Sequence, residues 1–170
     1  MRKAFVITAI FALVVTLAGA CVFLYGVMTL TPAVVETTVT ATPALQVQNV
    51  FDDAMDQVAK GVFTGRLYSN GAMPYAQDCT FLTYTVRLKN RGFFPAEWIA
   101  LTVLPRQTGE DGSCDVLALP DSGAYVLNAG SSGDLSATIL TSGDASMTQR
   151  ALEITCYVFG KKTTLRVNAQ

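Results

Sequence analysis

Histidine is absent from this 170-residue chain. That absence removes every Ser-His and Cys-His nucleophile pair, and most catalytic zinc sites, which normally use at least one imidazole. Charge is sparse as well: 12 Lys and Arg against 13 Asp and Glu leave a formal net charge of −1. With no basic patch and no acidic tail, a nucleic-acid partner is not expected. No cofactor motif or metal-ligand set stands out. What remains is a chain that is 51% hydrophobic, long enough for one compact domain and an appendage.

The appendage is N-terminal. After Arg2 and Lys3, no charge appears from Ala4 to Leu30. As a helix, residues 4–30 would span about 40 Å, enough to cross a hydrocarbon core of about 30 Å with some tilt. The next basic residue is Lys60, so the positive-inside rule puts the N-terminus in the cytoplasm and the rest outside. "LAGAC" (Leu17–Cys21) resembles a lipobox, and Ala18-Gly19-Ala20 also fits a signal-peptidase site. Cleavage there would leave CVFLYGVMTL, still strongly apolar, and the apolar run is about twice a normal signal-peptide core. A retained single-pass anchor at the cell membrane (residues 1–30) is the favoured reading over a lipoprotein or a secreted chain. Ala12, Thr16 and Ala20 recur every four residues and offer a close helix–helix face for an oligomer, although small residues are ordinary in membrane helices.

Residues 31–43, "TPAVVETTVTATP", are Thr-rich, bounded by Pro and free of Lys and Arg, and read as an extended stalk. Residues 44–61 then place Val47, Val50, Phe51, Ala54 and Val58 at helical spacing. Thr42 is the expected N-cap, Pro43 the first helical residue and Gly61 the stop. Asp52, Asp53 and Asp56 read as a solvated face, because no Gly-bearing loop of alternating oxygen ligands surrounds them.

From residue 62 to 170 short apolar runs alternate with turn residues, which predicts an extracellular all-β sandwich. Candidate strands are Val62–Tyr68, Thr80–Lys89, Ala96–Leu104, Asp115–Leu119, Ala124–Asn128, Asp134–Thr141, Ala151–Phe159 and Lys162–Val167. Alternation is clearest in the second, where Leu82, Tyr84, Val86 and Leu88 share a face. Ile99, Leu101 and Val103 face inward in the third, as do Leu135, Ala137 and Ile139 in the sixth. The stretch "YTVRLKNRGFFPAEWIALTVLP" (Tyr84–Pro105) resembles bacterial surface domains of the immunoglobulin/fibronectin-III-like group. It is similar above all to CARDB-type modules, with their strand, Asn-x-Gly, small-residue loop and second strand. "LNAGSSGDLSATI" fits their Gly-turn and following strand. The resemblance implies an immunoglobulin-like antiparallel β-sandwich and, as function, only surface display or contact.

A second likeness is local. "LEITC" (Leu152–Cys156), with Arg166 downstream, resembles the Thr-Cys segment of a sortase, but a sortase activates its thiol beside a His, and this chain has none. A hairpin turning at Gly160-Lys161 would pair Phe159 with Lys162 and set Cys156 opposite Leu165. Cys156 then points inward and Arg166 outward, so the pair is not catalytic. Strand ends also suggest a Cys79–Cys114 disulfide, permitted by an oxidising exterior and contributing about 3–4 kcal/mol. Cys79–Cys156, similar to the bridge of antibody domains, is the rival.

The function expected is a non-enzymatic, membrane-anchored interaction or scaffold module with a protein partner. Its candidate contact is "NRGFFPAEW", with Phe93, Phe94 and Trp98; the same rings would alternatively plug the end of the sandwich. A subunit of a larger envelope complex is the alternative. A Ser–Lys hydrolase resembling signal peptidase is more remote: it would use Ser146 with Lys161 or Lys162, but that family's Ser-Met motif follows the membrane segment directly. The lysines beside a turn would also stay charged.

Overall fold

The uninterrupted apolar run, free of proline and acidic residues, folds as one helix, α1 (Arg2–Met28). In the computed structural model, which describes residues 2–28, 32–68, 73–105, 114–120, 125–143 and 149–169, residues 6–25 of α1 are exposed all round. Val6–Gly26 has a mean hydropathy of 2.6, and only its last residue, Gly26, is buried. By length and composition it can cross a membrane.

The remaining chain is mostly β. Among the described residues nine strands form two antiparallel sheets: β1 (Ala33–Pro43), β3 (Cys79–Lys89), β7 (Ser132–Ser142), β5 (Cys114–Ala118) and β2 (Arg66–Leu67) in one, in the order β1-β3-β7-β5-β2. The other runs β6-β4-β8-β9, with β4 Ala96–Val103, β6 Tyr125–Leu127, β8 Ala151–Val158 and β9 Lys161–Asn168. Period-two alternation explains the core. Leu82, Tyr84, Val86 and Leu88 of β3 and Leu135, Ala137 and Ile139 of β7 meet Ile99, Leu101 and Val103 of β4 and Leu152, Ile154, Cys156 and Val158 of β8. Over Thr83–Arg87 and Asp134–Thr138 the opposite face of β3 and β7 is polar, laddered by Thr83–Thr138 and Thr85–Ser136 hydroxyl contacts and the Arg87–Asp134 pair. That guanidinium holds the Asp134 carboxyl below its usual range by hydrogen bonding.

Three expectations for the chain up to Tyr68 need correction. The stalk expected over residues 31–43 is not free from Ala33 onward: β1 pairs with β3 from Ala33↔Lys89 to Pro43↔Thr80, with one bulge near Val35. Its Val34 and Val39 pack against the core, so an extended, Thr-rich segment found a sheet edge instead of solvent. The helix is shorter than 44–61: Ala44–Val47 is a 3-10 turn, and α2 (Gln48–Ala59) starts from Val47 with no side-chain cap, so Thr42 and Pro43 do not initiate it. Gly61, at φ 69°, does end it. Phe51 of α2, with Met55 and Val58 beside it, covers Phe81, Val116, Leu117 and Leu140 on the outer face of the five-stranded sheet. Within the expected strand Val62–Tyr68, only Arg66–Leu67 pairs.

The β8–β9 hairpin turns at Phe159-Gly160, with φ of 53° and 70°, the two left-handed residues of a type I′ turn. Glycine takes the second of these positions at no steric cost. Val158 therefore pairs with Lys161, and Cys156 faces Thr163 instead of Leu165. The slip is two residues, which preserves face parity. Cys156 is accordingly buried, while Arg166 lies outside, bonded to Glu153.

No disulfide joins the described cysteines, all four of which are free thiols. The expected Cys79–Cys114 bridge fails for a topological reason: Cys79 and Cys114 are both paired with Ser142, from opposite sides of β7. Two strand spacings separate their backbones by about 9–10 Å, beyond the roughly 7 Å that a disulfide spans. The rival Cys79–Cys156 is excluded because Cys79 lies in the cluster beneath α2 and Cys156 between the sheets.

Candidate contact site

Between β3 and β4 the loop Asn90–Pro95 is built around one side chain. Asn90 is buried; its Nδ2 donates to the carbonyls of Phe94 (2.8 Å) and Leu127 (3.0 Å), and its Oδ1 accepts from the Gly92 N–H (2.9 Å). Its own N–H donates to the Ser131 carbonyl. A buried amide satisfied on every side fixes the loop, so the two phenylalanines that follow are presented from a rigid frame.

Phe93 is 61% exposed and meets Tyr25 in the last turns of α1, ring centroids 5.8 Å apart. Phe94 is half-buried on the core. It packs edge-on against Phe159 at a centroid distance of 4.0 Å, a geometry worth about 0.5–1.5 kcal/mol beyond area burial. On its other side, a Cβ placed at Gly26 would lie 3.2 Å from the Phe94 ring. The helix backbone thus seats directly on this aromatic.

Trp98 reaches the surface by another route. Against both β6 and β8, β4 slips by one residue between Ala96 and Ala100. This bulge resets the alternation, so Ala96 and Ile99 are both buried while Glu97 and Trp98 are exposed. Trp98 has φ 52° and is 65% exposed. Among the described residues, only Trp98 and Phe159 are non-glycines with a left-handed backbone, a conformation costing about 1–2 kcal/mol each. Both are aromatic and both lie at this end of the domain, where Tyr157, in register with Glu97, is also exposed.

The three aromatics expected from the sequence therefore divide. Phe93 and Trp98 are displayed, and Phe94 serves as the plug that joins loop, hairpin and helix. Phe159, Tyr157 and Tyr25 complete the cluster and were not anticipated, since they come from distant segments. The Phe159-Gly160 dipeptide at a tight turn was the available signal.

The other residues considered for chemistry are not assembled. Burial pushes the Cys156 thiol up; burial, then the Asp78 and Cys114 charges, push Cys79 up to about 11. Asp53 and Asp56 bond Gln57 and Lys60 within α2. Lys161 and Lys162 are exposed, and Ser146 lies outside the described residues.

The far end of the domain holds a buried ion pair that periodicity did not reveal. Arg150 Nη2 donates to Asp115 Oδ1 at 2.8 Å, with side chains only 4% and 1% exposed. Tyr84 beside them is raised to about 12, chiefly by burial. No family model matches the chain, and no curated protein matches it in sequence.

Proposed function

We propose that this chain is a non-enzymatic interaction or scaffold module of the cell exterior, carried on one transmembrane helix with its N-terminus in the cytoplasm. The observation that carries the reading is the aromatic end: Phe93, Trp98 and Phe159 stand exposed around the helix exit, two of them held there by a left-handed backbone. Backbone strain kept at an exposed site points to use.

The strand order supports an immunoglobulin-like module. Taking β1, β3, β4, β5, β7, β8 and β9 as strands A to G, the sheets read A-B-E-D and C-F-G. Strands β2 and β6 are then short additions at the edges. The Asn90-Arg91-Gly92 turn is consistent with the CARDB-like resemblance.

Cross-linking in native membranes, followed by purification, tests the reading. A protein partner retained in fixed stoichiometry is the expected result, and would place the module within an envelope complex. A hydrolytic activity abolished by Ser146→Ala or Cys156→Ala would overturn it.

A further inference from the structure

We propose that the aromatic end is a second membrane contact, seated in the lipid headgroup layer on the side where α1 emerges. The inference rests on α1 crossing a bilayer and names the surface that the module's displayed aromatics touch.

Chain connectivity limits where this end can be. The helix ends at Met28 and β1 begins at Ala33, whose ladder partner is Lys89. The intervening chain reaches at most about 18 Å fully extended. The loop Asn90–Pro95 and the start of β4 must therefore lie close to the helix exit. Side-chain contacts narrow this further. The apolar span ends at Gly26, and Tyr25 and Gly26 are the residues that meet Phe93 and Phe94. Those rings thus share the depth of the final turns of the span, where acyl chains give way to headgroups.

The exposed chemistry at this end suits that layer. Trp98, Phe93, Phe159 and Tyr157 are accompanied by exposed Lys89, Arg91, Lys161 and Lys162. Over residues 89–98 and 157–162 the only carboxylate is Glu97. Aromatic rings with an apolar body settle at the membrane interface, and long basic side chains extend their charges to anionic headgroups. A rim of four cations against one carboxylate complements an anionic leaflet. The left-handed Trp98 and Phe159 turn outward, away from the protein core and towards this surface.

The protein contains a single tryptophan, so Trp98 is its own reporter. The full chain is reconstituted into vesicles of phosphatidylcholine and phosphatidylglycerol, some made with lipids brominated on the upper acyl carbons. Trp98 emission is expected to be blue-shifted, largely lost in the brominated vesicles, and shielded from aqueous acrylamide. A reporter moved to the far end (Trp98→Phe with Tyr75→Trp) should behave oppositely. If the chain floats with the vesicles but Trp98 is open to acrylamide and untouched by bromine, the interfacial contact is refuted and the anchor stands. Shielding from both quenchers would mean a protein surface covers Trp98, which also refutes it. A chain that does not float with the vesicles overturns the anchor itself.

Discussion

At the residue scale, the buried Arg150–Asp115 pair carries the largest single risk to stability. Arg150 Nε and Nη1 are buried without a hydrogen-bond partner, so the guanidinium relies on Asp115 and its immediate neighbours. Asp115→Ala would strand a buried cation and is expected to lower unfolding free energy by about 3–5 kcal/mol in urea titrations of the detergent-solubilised chain. The double variant Asp115→Leu/Arg150→Met should be less damaged than the single one. Equal loss in both would mean that packing, not charge, governs the site. Trp98 makes a backbone prediction. Because φ is 52°, Trp98→Gly should be more stable than Trp98→Ala by about 1 kcal/mol, the reverse of the usual order in a strand. Cys79 sets a pH dependence. Its folded value of about 11 lies above the ordinary 9.0, so its contribution is complete below pH 9 and is lost as pH rises towards 11. Melting temperature should therefore fall more steeply over that window in the natural chain than in Cys79→Ala.

At the element scale, β1 is the test of whether residues 33–43 are spacer or sheet. A Gly/Ser segment of equal length would serve a spacer equally well. Here it would strip Val34 and Val39 from the core and the edge from β3, so limited proteolysis should cut the variant rapidly while the natural domain resists. Survival of the variant would restore the stalk reading. The segment shows why some elements were legible in the sequence and others were not. β3 alternates plainly because its inner face is wholly buried and its outer face largely polar. β1 is an edge strand that contributes little apolar surface, so its composition resembles that of an exposed linker; its extended conformation was foreseeable, its partner was not. The hairpin register was misplaced by two residues, since "FGKK" admits Gly160 at either central position, yet face parity still put Cys156 inside. The site was half legible. Phe93, Phe94 and Trp98 stood out locally, whereas Phe159 and Tyr25 joined them only through contacts between remote segments. The Asp115–Arg150 pair left no periodic trace.

At the scale of the whole molecule, the helix and the β-domain make opposite demands on solvent. The β-domain buries its apolar residues between two sheets and under α2, while residues 6–25 of the span all stay exposed. In water that span would leave about twenty apolar side chains hydrated, and each buried CH₂ is worth about 0.8 kcal/mol, which is the physical argument for the proposed anchoring of the chain in a membrane. The consequence is testable without reference to the aromatic end. Alkaline carbonate strips proteins held by charge or by interfacial contact but leaves spanning helices in place. The natural chain should remain in the membrane pellet even after Phe93→Ser, Trp98→Ser and Phe159→Ser remove the exposed rings. Leu13→Arg with Val14→Arg, in mid-span, adds about 2.5–3.5 kcal/mol of insertion cost per residue and should release a large fraction to the supernatant. If the ring variants were released and the arginine variants retained, the aromatic end would be the anchor and α1 would not span.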